Sequence, residues 1–130
     1  MIIDHISLPV SDYTVSKDFY TRALAPLGIT ALKEFPNICG FGKQGKPEFW
    51  IGSGPLSFWK DGQQKSTPTH IAFAAADRAA VDAFYAAAMA AGATDYGAPG
   101  LRPMYHPNYY GAFVLDPDGN NIEAVCHTPE

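Results

Sequence analysis

Two stretches decide the fold: IDHISLPVSD at residues 3–12 and THIAFAAAD at residues 69–77. His5-Ile6 in the first returns as His70-Ile71 in the second, and Asp12 returns as Asp77. Downstream, Phe19-Tyr20 returns as Phe84-Tyr85, and Ala23 and Ala25 return as Ala88 and Ala90. One constant offset holds for every pair, without a gap, which is the mark of an internal duplication.

Each copy opens as a strand. Ile6, Leu8 and Val10 alternate with His5, Ser7 and Pro9, and Ile71 and Phe73 alternate with His70, Ala72 and Ala74, the period of two expected of a sheet. A helix follows in each copy. Ser11 or Asp12 is placed to cap the first and Asp77 the second, because a short polar side chain can accept the free N–H groups of a first turn. Val15, Phe19 and Leu24 form the apolar stripe of the first helix, and Val81, Phe84, Tyr85 and Ala88 that of the second. Pro26 with Gly28 ends the first helix and Gly92 the second.

Three short strand-like runs then follow in each copy, about 29–35, 38–41 and 48–51, and about 94–97, 109–115 and 121–125. Asp116-Pro117-Asp118-Gly119 marks a tight turn between the last two. The resulting unit is βαβββ, present twice in an α+β chain. The expected organisation is one domain of two modules, residues 1–52 and 68–130, joined by a connection over 53–67. Leu56, Phe58 and Trp59 suit that connection to local packing.

Composition narrows the possibilities. A chain of 130 residues can bury roughly two-thirds of its unfolded surface without disulfides or structural metals. A net charge of −4 disfavours a nucleic-acid partner, which calls for a basic face. Cys39 and Cys126 lie far apart with no CxxC pair, so two buried free thiols are expected. The opening residues lack the regions of a signal peptide, and no apolar run approaches membrane-spanning length, so a cytoplasmic protein with no membrane partner is expected. No glycine-rich phosphate loop and no GxSxG elbow is present, and no organic cofactor is expected.

The duplication places His5 and His70 at equivalent points on one face of their strands. Glu123 lies between Ile122 and Ala124 on the last strand, where a carboxylate is costly unless paired or bound to a cation. Two imidazoles and a carboxylate suit one divalent ion: Zn, Ni, Mn or Fe(II). Glu48 is a further candidate ligand, but it shares a face with Trp50, and either residue can occupy the position equivalent to Glu123. Individually each histidine also reads as an ordinary core or surface residue. The loop 98–110 carries Arg102, which can clamp a carboxylate or phosphate, and Tyr105, His106 and Tyr109, which can supply a proton. It reads equally as a stiff surface loop packed on the sheet. Trp50 suits a cleft lining, and His127, close to the end of the sequence, is expected in solvent.

These segments, together with AFVLDPDGNNIEAV at 112–125, resemble the vicinal oxygen chelate superfamily of glyoxalase I, bleomycin-resistance proteins, fosfomycin-resistance transferases and extradiol dioxygenases. The resemblance spans almost the whole chain, and the DPDGNxIE pattern is its most specific part. It implies paired modules forming a curled eight-stranded mixed sheet around a cleft, with helices outside. It also implies metal ligands on the first and last strands, at His5, His70 and Glu123. Glu48 carries over less directly, because KPEFWIG at 46–52 departs from the family's more usual apolar-Glu strand. A homodimer acting on a small-molecule substrate is implied too.

The expected function is a metal-dependent lyase or isomerase of glyoxalase type, which chelates adjacent oxygens and uses Glu123, or Glu48 if it reaches, as a base to form an enolate or alkoxide. An Fe(II) extradiol-type dioxygenase and a metal-free drug-binding protein, with Trp50, Trp59 and the loop tyrosines stacking on a ligand, are the alternatives.

Overall fold

The computed structural model describes residues 2–55 and 68–130. The first module runs β1 (Ile6–Pro9), α1 (Tyr13–Leu24), a 3₁₀ turn (Ala25–Leu27), β2 (Thr30–Glu34), β3 (Ile38–Lys43) and β4 (Lys46–Gly52). The second runs β5 (His70–Ala74), α2 (Arg78–Ala90), β6 (Thr94–Leu101), β7 (Tyr110–Leu115) and β8 (Asn121–Cys126). Two βαβββ modules in an α+β fold are therefore present. Most of the connection, including Leu56, Phe58 and Trp59, lies outside the described residues.

Strand order is β1-β4-β3-β2 in one sheet and β5-β8-β7-β6 in the other. The first strand of each module pairs in parallel with the last, and the remaining ladders are antiparallel. Among the described residues the eight strands thus form two sheets of four, not one continuous ladder, with β1 and β5 as edges. A cavity of about 660 Å³ separates those edges, lined by Ile6 and Leu8 on one side and His70 to Ala74 on the other.

Local chemistry explains the helix ends. Asp12, not Ser11, caps α1 by accepting from the Val15 amide at 3.1 Å, and Asp77 caps α2 through the Ala80 amide at 2.8 Å. Gly28 closes the 3₁₀ turn in the left-handed region, at φ 77°. The buried stripe of α1 differs from the expected one. It consists of Ser16, Phe19, Tyr20, Ala23 and Leu24, whereas Val15 is exposed. Capping at Asp12 places Val15 in the first turn, on the solvent side. In α2, Val81, Phe84 and Ala88 are buried as expected, with Tyr85 half-buried. The strand β6 runs on to Leu101, beyond the expected 97, because it continues past irregularities in its pairing around Gly97. Cys39 and Cys126 are buried free thiols.

Tyr20 is fully buried, with its ring 5.0 Å from Phe19, 5.0 Å from Phe49 and 6.4 Å from Phe41. Phe49 in turn meets Phe73 of the second module edge-on at 5.2 Å. The Tyr20 hydroxyl crosses between modules to donate to the Asp116 carboxylate. Asp116 also accepts from the amides of Asp118 and Asn120, at 2.9 and 2.8 Å, and from the Asn120 side chain. Further links run from the Ser11 amide to the Asp118 carboxylate and from Arg22 to the Ala90 carbonyl. The turn before β8 is therefore a junction between modules as well as a chain reversal.

Removing the hydroxyl with Tyr20→Phe should lower unfolding stability by about 1.5–3 kcal/mol, the usual value of a hydrogen bond to a charged group. Asp116→Ala should cost more, since it also strands two amides. Urea denaturation of the three proteins measures both, and no change in Tyr20→Phe would remove this bond from the account of stability.

Candidate functional site

The central strand β8, between β5 and β7, carries Glu123 in register with Ala72 and Phe113. Glu123 is only 1 % exposed, and its neighbours Ile122 and Ala124 are core residues. A carboxylate in that setting must be satisfied. One oxygen, Oε1, lies 3.1 Å from His70 Nε2, and the other accepts from the Tyr109 hydroxyl. Gly111 makes room for this arrangement: a Cβ there would stand 3.0 Å from Glu123 Oε2 and 3.2 Å from the Tyr109 ring.

His70 is held from behind. Its Nδ1 lies 3.0 Å from the Asn121 carbonyl, which can only accept, so Nδ1 carries hydrogen. Nε2 then faces a carboxylate oxygen with its lone pair, and the interval between them requires a proton or a cation. Two donors 3.1 Å apart match neighbouring corners of an octahedral ion with bonds of about 2.1 Å. His70 and Glu123 therefore fit as two ligands. Among the described residues, however, no three His, Cys, Asp or Glu side chains converge closely enough to hold an ion.

The expected third ligand, His5, is elsewhere in the chain. It pairs with Asp4 at 2.7 Å and lines a separate cavity of about 180 Å³ with Ser7, Ile38 and Trp50. Pairing resolves the register left open by sequence. Ser7 pairs with Trp50 as Ala72 pairs with Glu123, and Ser7 and Ala72 are duplicates, so Trp50 holds the position equivalent to Glu123. Its indole lies against Gly40, where a Cβ would come within 2.9 Å of the ring. Glu48 is exposed and lines the cavity between β1 and β5, as does His70.

Around Glu123 opens a cavity of about 420 Å³, lined by His70, Tyr105, His106, Tyr109, Phe113 and His127. The expected loop residues divide here. Tyr105 and Tyr109 meet edge-on at 4.9 Å, and His106 stands 5.5 Å from the Tyr109 ring. Arg102 is not part of this lining: its guanidinium donates to the Ala98 and Gly100 carbonyls, at 2.8 and 2.9 Å, and lies over Phe113. It fastens the loop. Three backbone bonds, Arg102 to Tyr109, Tyr105 to Arg102 and Tyr109 to His106, close the same segment on itself.

His127 is exposed, as expected, and it also joins the cavity, with Nδ1 2.6 Å from His106 Nε2. Strand alternation carried the signal, since Glu123, Val125 and His127 fall on one face. Phe113 was also missed. It pairs across the ladder with Glu123 and packs 6.1 Å from the His70 ring.

Paired βαβββ modules, with a buried carboxylate on the last strand beside a first-strand histidine, define the structural class of the chain. The chain belongs to the Glyoxalase/Bleomycin resistance protein/Dioxygenase superfamily, whose model matches residues 2–124. It is similar to a glyoxalase/bleomycin resistance protein from Albidiferax ferrireducens T118, with 31% identity and a TM-score of 0.81, covering 99% of this chain and 100% of that one. Its fold is also that of a glyoxalase/bleomycin resistance protein/dioxygenase family enzyme from Burkholderia phytofirmans PsJN (21% identity, TM-score 0.73, covering 96% and 98%). TioX from Micromonospora sp. ML1 shares the fold at 16% identity, with a TM-score of 0.72 and coverage of 98% and 100%. Among curated proteins, none matches the chain. No helix among the described residues is long and apolar enough to cross a membrane.

Burial first, and then the bond to Glu123, hold the Tyr109 phenol far above its ordinary range. The folded chain keeps this proton more tightly than the unfolded chain. Its contribution is therefore complete below the ordinary phenol value of 10.0 and is lost as pH rises from there. Wild type should lose about 1.4 kcal/mol more stability than Tyr109→Phe between pH 8 and pH 11. Urea melts at the two pH values measure this, and equal losses would contradict the burial argument.

Proposed function

We propose that this chain is a glyoxalase-type lyase or isomerase acting on a small carbonyl compound, with Glu123 as the base that takes a proton from the carbon beside the carbonyl. The observation that carries this reading is a nearly inaccessible carboxylate that opens onto a 420 Å³ cavity while gripped by His70 and Tyr109. Burial among aromatic rings keeps water from competing for the carboxylate, and the two bonds fix its direction. Tyr109, as a donor, also steadies the charge on Glu123 between turnovers.

His70 and Glu123 are the residues that would hold a divalent ion, with His5 as the third ligand. When bound, such an ion supplies Lewis acidity to an oxygen of the substrate. Because His5 lines another cavity in its own chain, the reading assigns the working unit to a homodimer, in which the first module of one copy meets the second module of the other. Among the described residues β1 and β5 are edge strands, which supports that exchange.

Trp50 in the Glu123-equivalent position favours a second reading. With two histidines and one carboxylate, the ligand count is that of an Fe(II) extradiol-type dioxygenase. A metal-free binding protein is the outcome if no ion is retained.

Elemental analysis of protein purified without chelator separates these readings. Wild type should carry a stoichiometric divalent ion, and His5→Ala, His70→Ala and Glu123→Gln should each lose it. Sedimentation should give a dimer. Oxygen uptake with catechols would transfer the assignment to the dioxygenase, and wild type that takes up no ion under any divalent supply would transfer it to the binding protein.

A further inference from the structure

The pair His106 and His127 has no part in the reading above, yet it shares the cavity with Glu123. A chain of hydrogen bonds fixes its tautomers. The Asn108 amide lies 3.1 Å from His106 Nδ1, and an amide N–H can only donate. His106 Nδ1 is therefore the acceptor, and the hydrogen of that ring is on Nε2. This hydrogen fills the 2.6 Å contact to His127 Nδ1, which must accept in turn. The hydrogen of His127 is left on Nε2. Both rings are neutral in this arrangement, because a second proton on either breaks one of the two bonds. The ring centroids are 4.9 Å apart, a separation that with the 2.6 Å contact sets the two rings end to end through the bonded nitrogens.

The outcome is one donor of fixed direction, His127 Nε2–H, at the end of a chain anchored in the backbone. The Tyr109 ring stands edge-on to His127, 5.2 Å away, and its hydroxyl is bonded to Glu123. One cavity therefore holds a carboxylate acceptor and a neutral imidazole donor. A neutral imidazole directed at an oxygen that gains negative charge is an effective electrophile.

We infer that His127 binds the carbonyl oxygen of the substrate through Nε2–H, and that His106 is a positioning residue that fixes the tautomer of His127. The inference rests on the reading of Glu123 as the base. The C–H bond beside the carbonyl breaks and its proton passes to the Glu123 carboxylate. The electron pair left behind forms a C=C bond as the carbonyl π pair moves onto oxygen, and that oxyanion accepts from His127. Return of the proton from Glu123 to carbon closes the step, with no oxidant or reductant consumed. The substrate class this selects is a small compound whose carbonyl is flanked by a C–H, held between the rings of Tyr105, Tyr109 and Phe113.

4-Nitrophenol is the probe, since its phenolate presents an oxyanion on a flat ring and its absorbance reports binding. Wild type should bind it saturably. His127→Phe should weaken binding by about 10- to 100-fold, the value of a hydrogen bond to a charged group. His106→Ala should weaken it several-fold, and His106→Gln, whose amide can still donate to Nδ1, should restore part of the loss. In ¹⁵N spectra of wild type, both rings should carry hydrogen on Nε2. The base is tested apart from this, by deuterium exchange at the methyl carbons of acetone: Glu123→Gln should lose the exchange that wild type catalyses, and retained exchange would sink the reading of Glu123 while phenolate binding still tests His127. The inference is overturned by absent binding to wild type, by equal binding to His127→Phe, or by hydrogen on Nδ1 of His127.

Discussion

The buried carboxylate of Asp116 is the constraint on which the arrangement depends. It lies at the turn before β8 and gathers a hydroxyl from α1 together with two amides of its own turn. Asn120 extends the junction by accepting from the Thr69 amide just ahead of β5. Asp118 reaches the Ser11 amide at the start of the first helix. One five-residue turn thereby fixes β8 against β5 and against the first module. The position of Glu123 follows, because its strand is held at its origin and clamped on both sides by neighbours. Buried polar groups that are fully partnered specify one arrangement and penalise the rest.

The same logic accounts for the difference between the modules. The second module carries its histidine, His70, on its first strand, whereas His5 falls just ahead of β1, and both modules pair that strand with the last one in parallel. The second module places a carboxylate opposite its first strand, and the first places an indole there. Each choice has a matching small residue: Gly111 beside Glu123 and Gly40 beneath Trp50. The exchange of Glu for Trp removes the carboxylate from one pocket without changing the strand pattern.

Much of this was legible in the sequence, and the reasons for the remainder are physical. The duplication announced itself because equivalent strands must repeat the same alternation and equivalent helices the same cap. Glu123 stood out because a charge between two core residues is expensive. The choice between Glu48 and Trp50 could not be read, since residues two apart share a face and an irregularity after Phe41 shifts the neighbouring register. Only the pairing of Ser7 with Trp50 decides it. Arg102 was read as a clamp because its partners are backbone carbonyls, which leave no trace in side-chain patterns. His127 was set aside for its nearness to the end of the sequence, although continued alternation from Glu123 put it on the same face. The two-sheet division was hidden as well, because nothing in an edge strand's composition says whether it will meet another edge.

That division gives each half of the molecule its own hollow. The two hollows share a buried core but no lining residue. In the dimer proposed above, His5 from one hollow and Glu123 from the other would meet at one ion, so a substitution in either is felt in both. The doubled architecture thus ties its two chambers to a common fate, in which neither can drift by descent unless the other keeps pace.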